Sequence, residues 1–336
     1  MPPTFTAGFL YRAALAVLLF MACFPRLAAK DQMTSSLVIG NARIDFVIEG
    51  NSPAALAQDI LRWVKSAAES VTAYYGRFPV PQVSIRITPF EGRGIRHGMT
   101  FGERGAQITI GVGNHTSPSE FASDWMLTHE MVHLAFPSVD RNHHWIEEGI
   151  ATYVEPIARI QAGYLKPEQM WSDLVRDMPQ GLPEPGDRGL DHTHTWGRTY
   201  WGGALFCLLA DVEIRRQTNN AKGLEQALRG ILDAGGDIRK DWSIEDALRA
   251  GDRAVGGSVL QPLYAKMKDK PEGADLNALW TQLGVRSDGG NVRFDDGASL
   301  AAIRRAITAA ESGAESKDSP HLRPSAVFAG RAAGRS

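Results

Sequence analysis

The sequence predicts an α+β fold in which a small mixed sheet is followed by a mainly helical C-terminal lobe. Three observations carry this. Apolar residues alternate at 36–49, 82–88 and 106–112, all in the first third of the chain. Beyond residue 117 they recur at helical spacing instead. Where the two patterns meet, His129 and His133 fall four residues apart within one predicted helix. With 336 residues, 43% of them hydrophobic, the chain is long enough for two lobes that meet at a cleft.

The N-terminus comes first. Arg12 precedes an apolar run at 13–24, followed by Pro25, Arg26, Leu27, Ala28 and Ala29. A run of that length falls short of a bilayer span, so residues 1–29 are expected to be a secretory signal cleaved after Ala29, making the protein secreted or periplasmic. The alternatives are lipoprotein processing with Cys23 lipidated, and an anchor left uncleaved. Cleavage removes Arg12 and Arg26 and no acid, leaving 34 of the 36 basic residues against 38 acidic ones, a net charge of -4. No nucleic-acid partner and no remaining membrane span are expected. Cys207 would then be the one cysteine kept, which excludes an internal disulfide; its apolar surroundings at 204–210 mark it as a small core residue.

An N-terminal α/β lobe is expected over 30–116. Leu37, Ile39, Ala42, Ile44, Phe46 and Ile48 alternate about a break at Gly40-Asn41, giving one or two strands. Ser52-Pro53 supplies a cap and first position for a helix whose stripe is Leu56, Ile60, Leu61, Val64, Ala67, Val71 and Tyr74. Strands follow at 82–88 and 106–112. Between them, residues 91–105 carry Gly92, Gly94, Gly98, Gly102 and Gly105 and read as a flap over the cleft or a loose hairpin, without any phosphate-binding glycine pattern.

The catalytic core is expected over 117–218. Ser117, Pro118 and Glu120 form a capping box with proline at the first helical position, and Phe136-Pro137 ends the helix. Phe121, Trp125, Met131, Val132, Leu134 and Phe136 leave that helix little exposed face, which places its histidines inside. Thr128-His129-Glu130-Met131-Val132-His133 directs both imidazoles to one side with Glu130 at the rim, the H-E-x-x-H arrangement of zinc peptidases. Buried neutral imidazoles need partners, and one metal ion with a carboxylate as third ligand satisfies both. Glu148 is the candidate third ligand.

Residues 145–155, Trp145-Ile146-Glu147-Glu148-Gly149-Ile150-Ala151-Thr152-Tyr153-Val154-Glu155, resemble the W-x-x-E-G-x-A-x-Y-x-E segment of gluzincin (peptidase MA-like) metallopeptidases, the aminopeptidase N and glycyl aminopeptidase families in particular. The resemblance implies a thermolysin-like two-lobe zincin fold, one zinc ion with His129, His133 and Glu148 as metal ligands, and Glu130 as general base. Tyr200-Trp201-Gly202-Gly203-Ala204 is similar to the Y-x-K-G-A helix of glycyl aminopeptidases, which implies that Tyr200 stabilises an oxyanion. Two departures stand out: the segment between His133 and Glu148 is shorter than in aminopeptidase N relatives, and Gly202 replaces the lysine. The G-x-M-E-N sequence that grips a free amine in aminopeptidase N is absent, so aminopeptidase specificity has no support. The resemblance also implies that an edge strand just before the metal-binding helix pairs with substrate backbone, and residues 107–113 stand in that position.

A further helix is expected at 167–178, then a Pro/Gly loop at 180–189. His192 and His194 approach Tyr200 as additional oxyanion donors or as surface-loop residues, and His143 and His144 are competing ligands that lack helical spacing with His129 and His133. Over 219–310, short helices are expected at 224–232, 244–250 after Ser243, 260–268, 276–283 and 298–310, and 311–336 is expected to be a disordered tail. Together these readings describe a secreted zinc metallopeptidase acting on a peptide or protein substrate. The alternatives are a zinc-stabilised cell-envelope binding protein without catalysis, and a hydrolase of a non-peptide amide.

Overall fold

A computed structural model describes residues 32–50 and 54–310. The expected signal at 1–29, Cys23, the helix start at Ser52-Pro53 and the expected tail at 311–336 lie outside the described residues.

Strands β1 (Gln32–Ile39) and β2 (Ala42–Glu49) pair antiparallel across Gly40, whose φ of +55° suits a residue without a Cβ. Helix α1 (Ala54–Tyr75) then returns the chain so that β3 (Gln82–Phe90) runs parallel to β2. The inward rows Ile44, Phe46 and Ile48 of β2 and Val83, Ile85 and Ile87 of β3 are buried in one core with Ile60, Val64, Ala67 and Val71 of α1. The alternate residues Arg43, Ser84 and Arg86 stay exposed, so one face of the sheet packs and the other is polar.

Strands β4 (Ile95–Phe101) and β5 (Ala106–Gly113) complete a mixed five-stranded sheet in the order β1-β2-β3-β5-β4. The glycine-rich stretch holds β4, which pairs antiparallel with β5 as the hairpin reading of 91–105 had it. One expectation is corrected: the residues expected to form the edge belong to β5, which lies between parallel β3 and antiparallel β4. The edge is β4. Its glycines and exposed apolar side chains hide the alternation that marks a buried strand. A bulge between Arg96 and Met99, with His97 at φ +58°, bends this edge.

The expected single helix at 118–136 is two. The capping box at Ser117 is present and opens α2 (Pro118–Ser123). Asp124 then turns extended, and its carboxylate accepts from Trp63 Nε1 at 2.8 Å and from the Leu127 amide at 3.2 Å. It thereby caps α3 (Met126–His133), a competition between side chain and helix backbone that aspartate often wins. Trp125, expected inside, sits at this break and is half exposed.

Helix α4 (His144–Gln161) follows a short turn at Arg141–His143. Beyond it come α5 (Pro167–Asp177), a five-residue π-helical turn Arg198–Gly202, and α6 (Gly203–Gln217). The remainder is helical: α7 (Leu224–Asp233), α8 (Ile244–Val255), α9 (Leu260–Met267), α10 (Leu276–Leu283) and α11 (Ala301–Thr308). A hairpin of β6 (Val285–Asp288) and β7 (Asn291–Phe294) interrupts it, turned by Gly289 and Gly290 at positive φ. The fold is thus α+β, a mixed sheet with a mainly helical remainder. Among the described residues no helix is long and apolar enough to cross a membrane.

Candidate metal centre

Helices α3 and α4 pack against each other and against α1, so the residues they face inward are held from several sides. His129 and His133 are one turn apart on α3, with ring centroids 4.9 Å apart. Glu148, one turn into α4, brings one oxygen, Oε2, to 3.1 Å from His129 Nε2 and 3.7 Å from His133 Nε2. The three possible ligand atoms all lie within 4.8 Å of one another. Tetrahedral bonds of about 2.0 Å separate neighbouring ligand atoms by roughly 3.3 Å, so the donor set fits a zinc ion in both type and spacing.

The electrostatics suit the same purpose. Burial, reinforced by neighbouring His129, lowers the His133 pKa to about 3 and keeps its imidazole neutral, the form that ligates. Burial alone would raise the Glu148 carboxyl, but hydrogen bonds from His129 and His144 outweigh it and hold the group ionised. Among the described residues, this is the group of His, Cys, Asp or Glu side chains that converges closely enough to hold an ion.

His144 does not join the cluster as a ligand. It contacts the other oxygen of Glu148, Oε1, through Nε2 at 3.1 Å, while its Nδ1 meets Glu147 Oε2 at 2.9 Å. These two carboxylates raise its pKa to about 10. Glu147 also accepts from the Val139 amide at 3.3 Å, tying the turn before α4 to the helix. His143 faces elsewhere, toward Asp191 at 3.0 Å. His192 pairs with Asp269 and, like His194, is exposed and absent from the cleft walls; the structure does not bring either to the cluster.

Glu130 is buried beside the cluster. Burial raises its pKa, partly offset by a hydrogen bond from Thr100. Thr100 Oγ1 lies 2.6 Å from Glu130 Oε2 and 2.9 Å from the Glu130 carbonyl, so one hydroxyl on β4 orients the carboxylate. Gly98, at the bulge, completes the contact: a Cβ there would stand 2.6 Å from Glu130 Oε1. Sequence reasoning missed Thr100 and Gly98 because a flap or loose hairpin over 91–105 assigned no side chain there a direction.

Tyr200 lies in the π-helical turn with its ring stacked near His129, centroids 6.3 Å apart. Burial and the carboxylates Glu148 and Glu130 push its pKa up to about 12, so the phenol keeps its proton. Two features position it. Arg198 pairs with Asp187 at 2.7 Å and donates to the Gly181 carbonyl, anchoring the start of the turn. Gly149 of α4 and Gly203 of α6 touch backbone to backbone, since a Cβ on either would collide with the other chain segment. A Cβ on Gly202 would stand 2.9 Å from Leu190 Cδ2, so the Leu190 side chain would have to shift to admit the lysine of the resembling pattern. Other residues of the two segments serve the scaffold. Trp145 Nε1 donates to Asp191 at 2.8 Å, Tyr153 OH to Asp211 at 3.0 Å, and Glu155 pairs with Arg159 at 3.0 Å.

The cluster, Glu130 and Tyr200 all line one cleft of about 540 Å³, bounded on one side by His97, Gly98, Met99 and Thr100 of β4. No protein-family model matches the sequence, and no curated protein does. Solved structures do. The fold is similar to that of an aminopeptidase N family protein from Idiomarina loihiensis, with a TM-score of 0.57 at 13% identity over 76% of this chain and 49% of that one. An M1 zinc metallopeptidase from Deinococcus radiodurans superposes at a TM-score of 0.47 and 16% identity, covering 73% of this chain and 53% of that one. The chain therefore spans about half the length of these proteins, and the likeness is one of fold, that of the aminopeptidase N family protein.

Proposed function

We propose that the chain is a zinc-dependent peptidase. The observation that carries this is the convergence of His129, His133 and Glu148 beside a buried carboxylate with a raised pKa, in a cleft bordered by a sheet edge. Zinc bound there would supply a Lewis acid that lowers the pKa of a water molecule and polarises a carbonyl. His129, His133 and Glu148 would hold it. Glu130, held by Thr100, accepts the proton of the attacking water and returns it to the departing amine; its raised pKa brings it closer to the working pH. Tyr200 stays protonated and donates to the oxyanion that develops on the scissile carbonyl. The unpaired side of β4 offers backbone groups for an extended substrate, the role expected of an edge strand.

The test is zinc content together with cleavage of a mixed peptide pool read by mass spectrometry. Glu130→Gln should keep zinc and lose several orders of magnitude in turnover. Tyr200→Phe should keep zinc and lower kcat about 10²- to 10³-fold with little change in KM. Zinc binding without cleavage of any peptide by the parent protein would reduce the site to a metal-binding one, and parental turnover in Glu130→Gln would remove that residue from the mechanism.

A further inference from the structure

Among the described residues the five-stranded sheet has two edges of different character. At one, β4 borders the cleft and is bent by its bulge, which limits the run of backbone it can pair. At the other, β1 holds no charge, no proline and no glycine. All eight of its residues pair with β2 in unbroken register, so no bulge turns it aside. A long, straight, uncharged edge is a template for a further strand.

Two observations say which strand. The first is the pattern about Ser35. Met33, Ser35 and Leu37 stand on the core-facing row, opposite Ile48, Phe46 and Ile44 of β2, and Met33 and Leu37 are only partly buried there. Thr34 and Ser36 stand on the opposite, polar face. Outward from Ser35, each direction therefore meets a hydroxyl and then an apolar side chain. Laid antiparallel on a copy of itself with Ser35 facing Ser35, the strand is its own complement: Met33 lies opposite Leu37, Thr34 opposite Ser36, and β1 brings no charge to the seam. The second observation is Ser35 itself. Its hydroxyl is buried and has no hydrogen-bond partner among the described residues. A buried polar group left unpaired is destabilising, and Ser35 of the copy would supply the missing partner, as cross-strand hydroxyl pairs do.

We propose that β1 pairs antiparallel with β1 of a second copy of this chain about a two-fold axis at Ser35, joining two five-stranded sheets into one. β4 stands at the far edge of each sheet, so both clefts stay open, and the inference is independent of the reaction they carry. A single strand pair is a small seam, and the dimer is accordingly reversible, forming as the concentration rises.

Sedimentation velocity of the full chain from about 1 µM to about 1 mM, with amide exchange at both extremes, tests this. The expected result is a monomer–dimer equilibrium in which protection of the β1 amides grows with concentration. Two double variants fix the register, both on the polar face, where Thr34 and Ser36 neighbour Val47 and Asp45 of β2. Thr34→Lys with Ser36→Lys sets lysine against lysine twice across the seam and should raise the dissociation constant about tenfold or more. Thr34→Glu with Ser36→Lys sets glutamate against lysine twice and should keep the dimer at parental strength or better. A monomer at every concentration overturns the proposal; if its β1 amides are protected regardless of concentration, another segment of the same chain covers the edge. A dimer that the lysine pair leaves intact overturns it too, as does equal loss in both variants, since pairing would then avoid β1 or run in another register. Circular dichroism checks that each variant folds, and where one does not, concentration-dependent protection of β1 in the parent decides the question.

Discussion

Glu147 and Glu148 are consecutive carboxylates with different work, because they point about 100° apart around α4. Glu148 faces the histidines, whereas Glu147 holds His144 and the Val139 amide. His144 in turn grips the oxygen of Glu148 that is farther from the histidines. Partners of this kind typically set metal affinity by about 10- to 100-fold. We expect Glu148→Ala to lose zinc, Glu147→Ala to keep it, and His144→Ala to bind it roughly 10- to 100-fold more weakly in a chelator competition. Parental affinity in His144→Ala would reduce that histidine to a surface residue. The convergence of His129, His133 and Glu148 was legible in the sequence because helical spacing and a short motif encode it. His144 was not, because its role depends on the rotamer of a side chain one turn along the helix.

Strand β4 shows what happens when an element lacks the signal that usually reveals it. Gly92, Gly94, Gly98, Gly102 and Gly105 read as a flap or a loose hairpin, yet Gly98 has a packing reason, since Glu130 occupies the space of its missing side chain. Gly98→Ala should push Glu130 from its place against Thr100. A displacement of about 1 Å at a reacting group can cost on the order of 10²-fold. The expected outcome is a kcat lowered on that scale with zinc content unchanged, and a variant as fast as the parent would show that Glu130 tolerates the shift. The same lesson holds at Asp124, whose carboxylate splits an apparently continuous helix, and at Gly289-Gly290, where a hairpin hides in a stretch without long alternation. By contrast α1, β2 and β3 were plain, because buried faces impose strict periods.

For the whole molecule, the candidate metal site joins α3 and α4, both packed on α1 and the latter also on α6, so an ion bound there should stabilise much of the core at once. A ligand at about 1,000 times its dissociation constant adds roughly 4 kcal/mol to the folded state. For a chain of this size each kcal/mol moves Tm by about 2–4 °C. Saturating zinc should therefore raise Tm by ~10 °C over the chelated protein in a calorimetric scan, and Glu148→Ala should abolish the difference. Identical melting with and without chelator would mean that no ion binds the native state. The broad architecture was legible from periodicity alone; the order of the strands was not, since nothing local tells β5 that β4 will pass outside it.

The backbone contact between Gly149 and Gly203 has a consequence for how this protein can change. Gly149 follows Glu148 directly, and Gly203 stands three residues after Tyr200, so the two helices meet where each delivers a functional group. Any side chain inserted at either glycine would wedge the helices apart and move Glu148 and Tyr200 together. The positions of Glu148 and Tyr200 are therefore inherited as a pair: a lineage or an engineer can retune the surrounding loops one at a time, but not these two side chains by changes at their crossing.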